Sequence, residues 1–440
     1  MEGINKNYKD DKVLYEFMSI LKLIIYSLIG IIIFCIPIKL NGQSLTIIYH
    51  IAYKLQSDVS PFIEACIVFY VILGCIKPII KNNKKDNSIF TYIPLFSILI
   101  IISIFYGKNE IILLDDNVAL LMYELILNIS TVFPLSAIFI TFLLDYGILD
   151  VVESYCHNFM KNKLNLSGKT LVNILIYICT DCFCGMFMTN KLYNNGKIRE
   201  SEACNIILNF SILSFPMILY TSKELNIKSV NLIVVSLIIL TITNLIMSRT
   251  YPINSKKKSY YVKTSYKETL HKKDKLERAV KKYLRNKTKT NVFKSMINNL
   301  EESIFVLMKL IPNLVLVLYL GQIIINSNLI GEIINLFLNP ILELLKIENK
   351  EALNIFNINT FYNVIIGIDS VDSHTQYSTK FLIGVIAVLN CTSISGNMLY
   401  IKNTDIKISK KEFLISYIQR IIIIIFTYSI MHYFYKGYIM

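Results

Sequence analysis

Apolar residues in this chain gather into long uninterrupted blocks. Nine of them, at 17–38, 59–77, 90–107, 124–145, 203–222, 228–248, 304–326, 380–401 and 412–435, approach the roughly 20 residues a helix needs to cross a bilayer. Two further stretches, 170–190 and 352–371, are apolar but interrupted by polar residues. The pattern predicts an all-α polytopic membrane protein.

Lysine and arginine set the orientation of such a chain, because short basic loops stay in the cytoplasm. Lys6, Lys9, Lys12 and Lys22 put the N-terminus inside. Lys77, Lys81, Lys84 and Lys85 put the second loop inside as well. The intervening 39–58 carries only Lys39 and Lys54, and 108–122 balances one lysine with Glu110, Asp115 and Asp116; both suit the outside. Alternation then carries the C-terminus outside.

One stretch breaks the alternation. Lys161, Lys163 and Lys169 precede 170–190, and Lys191, Lys197 and Arg199 follow it. A crossing there strands one basic cluster outside, whereas a re-entrant hairpin keeps both inside. Its interior, Tyr177-Ile-Cys-Thr-Asp-Cys-Phe-Cys-Gly185, also suits surrounding protein or water better than lipid, since a lipid-facing aspartate costs about 2.5–3.5 kcal/mol. By the same logic 352–371 is a second hairpin, entering from outside. Span, hairpin, span, span then occurs twice in opposite orientation, an inverted-topology repeat that places a site between broken helices at mid-membrane. The expected organisation is 1–123 as a three-span N-terminal segment, 124–248 as one repeat, 249–303 as a cytoplasmic linker and 304–435 as the inverted repeat.

Composition agrees. The 440 residues are 54% hydrophobic and 17% charged, with mean hydropathy +0.52; few soluble folds could cover so much apolar surface. The net charge of +14 belongs with anionic lipid rather than nucleic acid, because the linker concentrates it, with sixteen Lys/Arg against five Asp/Glu between Arg249 and Ser303. Within it, 264–289 suits either a helix on the inner leaflet or a solvated linker. Nine cysteines, an odd number mostly inside apolar runs, argue against a disulfide framework. The first block ends in Ile36-Pro37-Ile38-Lys39 without a small-residue cleavage site and reads as a retained span.

The segment Thr189-Asn-Lys-Leu-Tyr-Asn-Asn-Gly-Lys-Ile-Arg-Glu-Ser-Glu-Ala203, followed by Asn209-Phe-Ser211, resembles the nucleoside-recognition (Gate) domain membrane proteins, in particular their YjiH-like branch. Weaker similarities are Ser27-Leu-Ile-Gly-Ile31 with Ile36-Pro37, Phe142-Leu-Leu-Asp-Tyr-Gly147, Glu277-Arg-Ala279 and Phe381-Leu-Ile-Gly384. The resemblance implies a solute-translocation scaffold with two hairpins, related to concentrative nucleoside transporters and ferrous-iron permeases. The expected function is therefore a permease at the cell membrane, moving a nucleoside or similar small polar solute by alternating access with a coupling cation. The rival is a non-transporting sporulation or envelope component that docks partners. A dry, bulky hairpin junction favours the rival, and a polar cavity favours the permease.

Candidate site residues follow from polarity in apolar surroundings. Asp181 and Asp369 are read as equivalent positions at the two hairpin breaks, where a carboxylate binds a cation or a substrate hydroxyl, or else caps a helix. Thr189, Asn190 and Asn209 in the first half, and Asn390, Thr392 and Ser395 in the second, either line a cavity or bond helices together. Cys179, Cys182 and Cys184 have thiolate-metal chemistry, but no paired histidines accompany them and no metal is expected. There is no phosphate loop and no nucleophile elbow. Neither an enzyme nor a cofactor is expected.

Overall fold

The computed structural model describes residues 2–40, 43–81, 93–107, 114–146, 148–262, 291–326, 329–360, 363–390 and 396–434. The basic segment 264–289, with Thr392 and Ser395, lies outside these residues.

The chain is built of helices: α1 (Glu2–Cys35), α2 (Ile47–Lys81), α3 (Phe96–Phe105), α4 (Asp116–Leu144), α5 (Ile148–Leu164), α6 (Thr170–Cys179), α7 (Cys182–Asn194), α8 (Glu200–Asn209), α9 (Phe215–Glu224) and α10 (Ser229–Met247). After the basic linker come α11 (Val292–Asn326), α12 (Leu329–Leu344), α13 (Lys350–Thr360), α14 (Val364–Asp369), α15 (Tyr377–Leu389), α16 (Asn397–Ile401) and α17 (Lys410–Phe434). Among the described residues the one sheet is a two-stranded hairpin between α1 and α2, with β1 (Pro37–Leu40) antiparallel to β2 (Gln43–Thr46) and Pro37 opposite Thr46. Among the described residues, five helices are long and apolar enough to cross a membrane, within α2, α4, α10, α11 and α17. The protein is thus a helical membrane protein.

Glycine sets the closest helix contact in the outer layer. Gly74 of α2 lies so near the Met308 carbonyl of α11 that a Cβ would overlap it, and Pro312 packs beside it.

Two expected spans are not continuous. The block 203–222 is α8 and α9 separated by the non-helical Phe210–Ser214. The Ser211 hydroxyl takes the Ile207 carbonyl, and Pro216, in the first turn of α9, has no N–H with which to continue a helix from α8. The block 380–401 likewise separates into α15, which ends at Leu389, and α16, which begins at Asn397. A hydropathy average over about 20 residues does not register so short a break.

The stretch 170–190 folds back on itself as expected. Asn173 Nδ2 of α6 donates to Thr189 Oγ1 of α7 at 2.7 Å. In one straight helix, sixteen residues would separate them by about 24 Å. The basic clusters at its two ends meet a common set of partners. Lys169 Nζ lies 3.4 Å from Asp150 and 3.8 Å from Glu153, both on α5. Lys197 Nζ donates to the last carbonyl of α4, Leu144 O, at 3.1 Å. Burial lowers the Lys197 pKa, while the charges of Asp145 and Asp150 oppose the shift.

Candidate functional site

The first hairpin breaks at Thr180 and Asp181. Asp181 takes up extended backbone (φ −150°, ψ 170°) and serves as the N-cap of α7. Its Oδ1 accepts the Cys184 amide at 2.8 Å, and its Oδ2 accepts the Cys184 thiol at 3.5 Å. This satisfies orphan donors of the first turn and sets the anion at the positive end of the helix dipole. Gly185 follows one turn on, facing Tyr177 so closely that a Cβ would fall inside the ring. Thr189 donates to Gly185 O at 2.8 Å while accepting from Asn173. Thr189 therefore bonds the two helices of the hairpin together.

Against this hairpin lies the unwound Phe210–Ser214, whose five residues are all nearly inaccessible. The Ser211 hydroxyl donates to Ile207 O at 2.6 Å, and Tyr177 reaches Thr189 Oγ1 at 3.5 Å. Asn209 donates to Asn205 Oδ1 at 2.6 Å, and Asn244 of α10 donates to the same oxygen at 3.2 Å. Asn205 in turn donates to Leu164 O at 3.2 Å. Three amide oxygens of this polar core, Asn173 Oδ1, Asn209 Oδ1 and Asn244 Oδ1, are buried without a hydrogen-bond partner among the described residues.

Two contacts hold the unwound segment from outside its own helix pair. The Leu213 amide donates to Val388 O of α15 at 2.9 Å, so the two broken helices meet backbone to backbone. Arg420 of α17, 1% exposed, donates to Leu208 O at 2.8 Å, satisfying a carbonyl at the end of α8. From α2, the Tyr49 hydroxyl donates to Thr180 O at 2.6 Å and lies 3.3 Å from Ser214 Oγ, spanning both breaks.

The second hairpin places Asn363, and not Asp369, at the start of its second helix. Asn363 is the N-cap of α14, its Oδ1 accepting the Ile365 amide at 2.8 Å. Asp369 ends α14 with an exposed side chain and accepts the Tyr220 hydroxyl at 2.9 Å. Partial burial raises its pKa, the Tyr220 bond opposes this, and Glu224 adds to it. In the adjoining loop, the His374 amide and the Ser373 hydroxyl hold the Asp372 carboxyl below the usual range.

Asn190 sits apart from the polar core, its Oδ1 accepting the Asp405 amide at 3.3 Å. Asn390 is the buried C-cap of α15. The structure thus joins Thr189 to Asn173 and Tyr177 within the hairpin, joins Asn209 to Asn205 and Asn244 beside the unwound segment, and leaves Asn190 and Asp369 elsewhere. Sequence reasoning passed over Tyr49, Asn173, Asn205, Asn244 and Arg420. Two of these carried a signal: Asn205 and Asn209 stand four apart on one helix face, and Arg420 interrupts an apolar span.

Aromatic rings close the other side of the hairpin tip. Phe133 meets Phe187 with centroids 5.5 Å apart and Tyr400 at 6.3 Å, and Phe183 lies 5.9 Å from Tyr400. Cys182 donates to Asn397 Oδ1 at 3.5 Å. Among the described residues no three His, Cys, Asp or Glu side chains cluster as metal ligands. The polar core consists of amides and hydroxyls, groups that bind by hydrogen bonding or by carbonyl coordination.

Comparison with known proteins finds one relative in this range: an uncharacterized protein of Alkalihalophilus pseudofirmus is 22% identical over 436 residues, covering 92% of each chain. No protein-family profile matches the chain. No solved structure matches it.

Proposed function

We propose that this protein is a permease of the cell membrane that carries a small polar solute through the junction of its two broken helices. The observation that carries the reading is the set of buried amide oxygens on Asn173, Asn209 and Asn244, without partners among the described residues and beside the unwound Phe210–Ser214. Unsatisfied acceptors at such depth are costly and call for an explanation. A coupling cation, or the hydroxyl and amino donors of a solute, would satisfy them. A nucleoside-like solute is the first class to test, on the resemblance around Thr189–Ala203.

Two inverted repeats, 116–247 and 292–434, frame this site in the proposal. Each runs through a long helix, a short helix, a helical hairpin, a broken helix and a long helix. The hairpins agree in detail: Asp181 and Asn363 are N-caps, Gly185 and Gly367 follow each by four residues, and each glycine abuts the preceding helix, at Tyr177 and Thr360 respectively. Nine crossings, with the N-terminus inside and the C-terminus outside, complete the arrangement, and alternating access moves one repeat against the other.

The test is uptake of labelled nucleosides and nucleobases into vesicles carrying wild-type or Asn209→Ala protein, normalised to folded protein. The variant loses one hydrogen bond, about 1 kcal/mol, and is expected to stay folded while uptake falls about tenfold or more. The aromatic packing of Phe133, Phe183, Phe187 and Tyr400 favours the second reading, a partner-docking envelope component. Absence of wild-type uptake across the panel would decide for it.

A further inference from the structure

The last turn of α13, the entering arm of the second hairpin, carries no basic side chain. The carbonyls that close a helix make that end negative, and cationic side chains commonly offset it. Here the end lies inside the protein, with Leu353, Asn354, Phe356, Asn357 and Thr360 all buried. Gly367 of α14 brings the returning arm so close that a Cβ on it would overlap the Thr360 methyl group.

Two amides stand in these closing turns. Asn354 is 5% exposed and Asn357 is 2% exposed. Each has its nitrogen engaged: Asn354 Nδ2 donates to Asn339 Oδ1 of α12 at 2.7 Å, and Asn357 Nδ2 donates to Leu353 O at 2.9 Å. Turning the Asn357 amide over would set its oxygen against the Leu353 carbonyl, so its orientation is fixed. The oxygens are left over. Asn354 Oδ1 and Asn357 Oδ1 are buried without a hydrogen-bond partner among the described residues. Residues three apart share a helix face, with about 5–6 Å between Cβ atoms, a span that two side-chain oxygens close around one ion.

Both oxygens are acceptors, so their ligand must donate hydrogen or carry positive charge. The negative end of α13 selects the charge. Calcium and magnesium sites draw on carboxylates, whereas these ligands are neutral amides. Neutral carbonyl oxygens are the groups that replace the water shell of potassium in channel filters. We propose that Asn354 and Asn357 bind a monovalent metal cation, of the sodium and potassium class, through their Oδ1 atoms at the closing end of α13. The site shares no residue with the Asn173, Asn209 and Asn244 set, and it stands without the permease reading. Through the Asn354–Asn339 bond, its occupancy steadies α13 against α12.

The experiment measures equilibrium binding of radioactive sodium and of radioactive rubidium, a potassium surrogate, to purified full-length protein in choline chloride. Wild type should bind at least one tracer saturably. Asn357→Leu should bind one ion fewer per chain, and Asn357→Asp, which keeps the oxygen and adds charge, should retain it. Asn209→Ala should retain it too. Saturable binding of neither tracer to wild type, or unchanged stoichiometry in Asn357→Leu, would overturn the site. A second measure needs no variant: amide exchange across 353–360 in wild type should slow about tenfold when the ion replaces choline at about ten times its dissociation constant. Unchanged exchange would also count against the site. Wild type that binds the ion but takes up nothing sinks the permease reading alone, and uptake without ion binding sinks the site alone.

Discussion

Asn205 is the hub of the polar core, and replacing it with leucine tests whether that core holds the helices together. Leucine has the same number of side-chain heavy atoms and the same branch point as asparagine, so the change deletes hydrogen bonds without opening a cavity. Three bonds go: those from Asn209 at 2.6 Å and Asn244 at 3.2 Å, and the one to Leu164 O at 3.2 Å. Side-chain bonds between membrane helices average about 0.6 kcal/mol, which sets a floor near 2 kcal/mol for three. Net values near 1 kcal/mol per bond raise the figure to about 3 kcal/mol, and stranding two buried amide donors adds to it. Destabilisation of about 2–4 kcal/mol is therefore expected for Asn205→Leu, read from reversible unfolding of detergent-solubilised protein in SDS. Asn205→Leu with Asn244→Leu should cost less than the sum of the singles, because the second change removes a donor the first has already orphaned. A loss below about 0.5 kcal/mol, or strict additivity, would refute a shared network.

Three further outcomes check other parts of the structure. Gly185→Ala should destabilise by about 1–3 kcal/mol despite alanine's better helix propensity, since its Cβ meets the Tyr177 ring; in Tyr177→Ala the same change should cost little, and an equal cost in both backgrounds would contradict the packing. Lys256 pairs with Glu412 at 2.8 Å, so Glu412→Gln should lower the melting temperature of wild type but change it little in Lys256→Met; an equal loss in both backgrounds would refute the pairing. Reporter fusions after Lys85, Lys258 and Lys410 should read cytoplasmic and a fusion at Met440 external; a cytoplasmic C-terminus would end the nine-crossing scheme.

Membrane residence was legible from the sequence because transfer energy depends on side-chain composition over about 20 residues, a local property. The first hairpin was legible too, from the basic residues at its two ends: Asp150 acts on both Lys169 and Lys197. The break between α8 and α9 was hidden inside a largely apolar block, although Pro216 marked it, and the polar Asn390 and Asn397 bracket the gap between α15 and α16. Pairing Asp369 with Asp181 rested on charge, while the structure gives Asp181 and Asn363 the same local part as N-caps. An N-cap needs an acceptor at the first turn, and the amide of Asn363 supplies one as well as a carboxylate does. The residues that complete the site were beyond any local pattern. Tyr49 reaches Thr180 across 131 positions, and Arg420 reaches Leu208 across 212. Such bonds exist because backbone unwound inside a membrane must find partners wherever packing delivers them, and only the tertiary fold determines which side chains arrive.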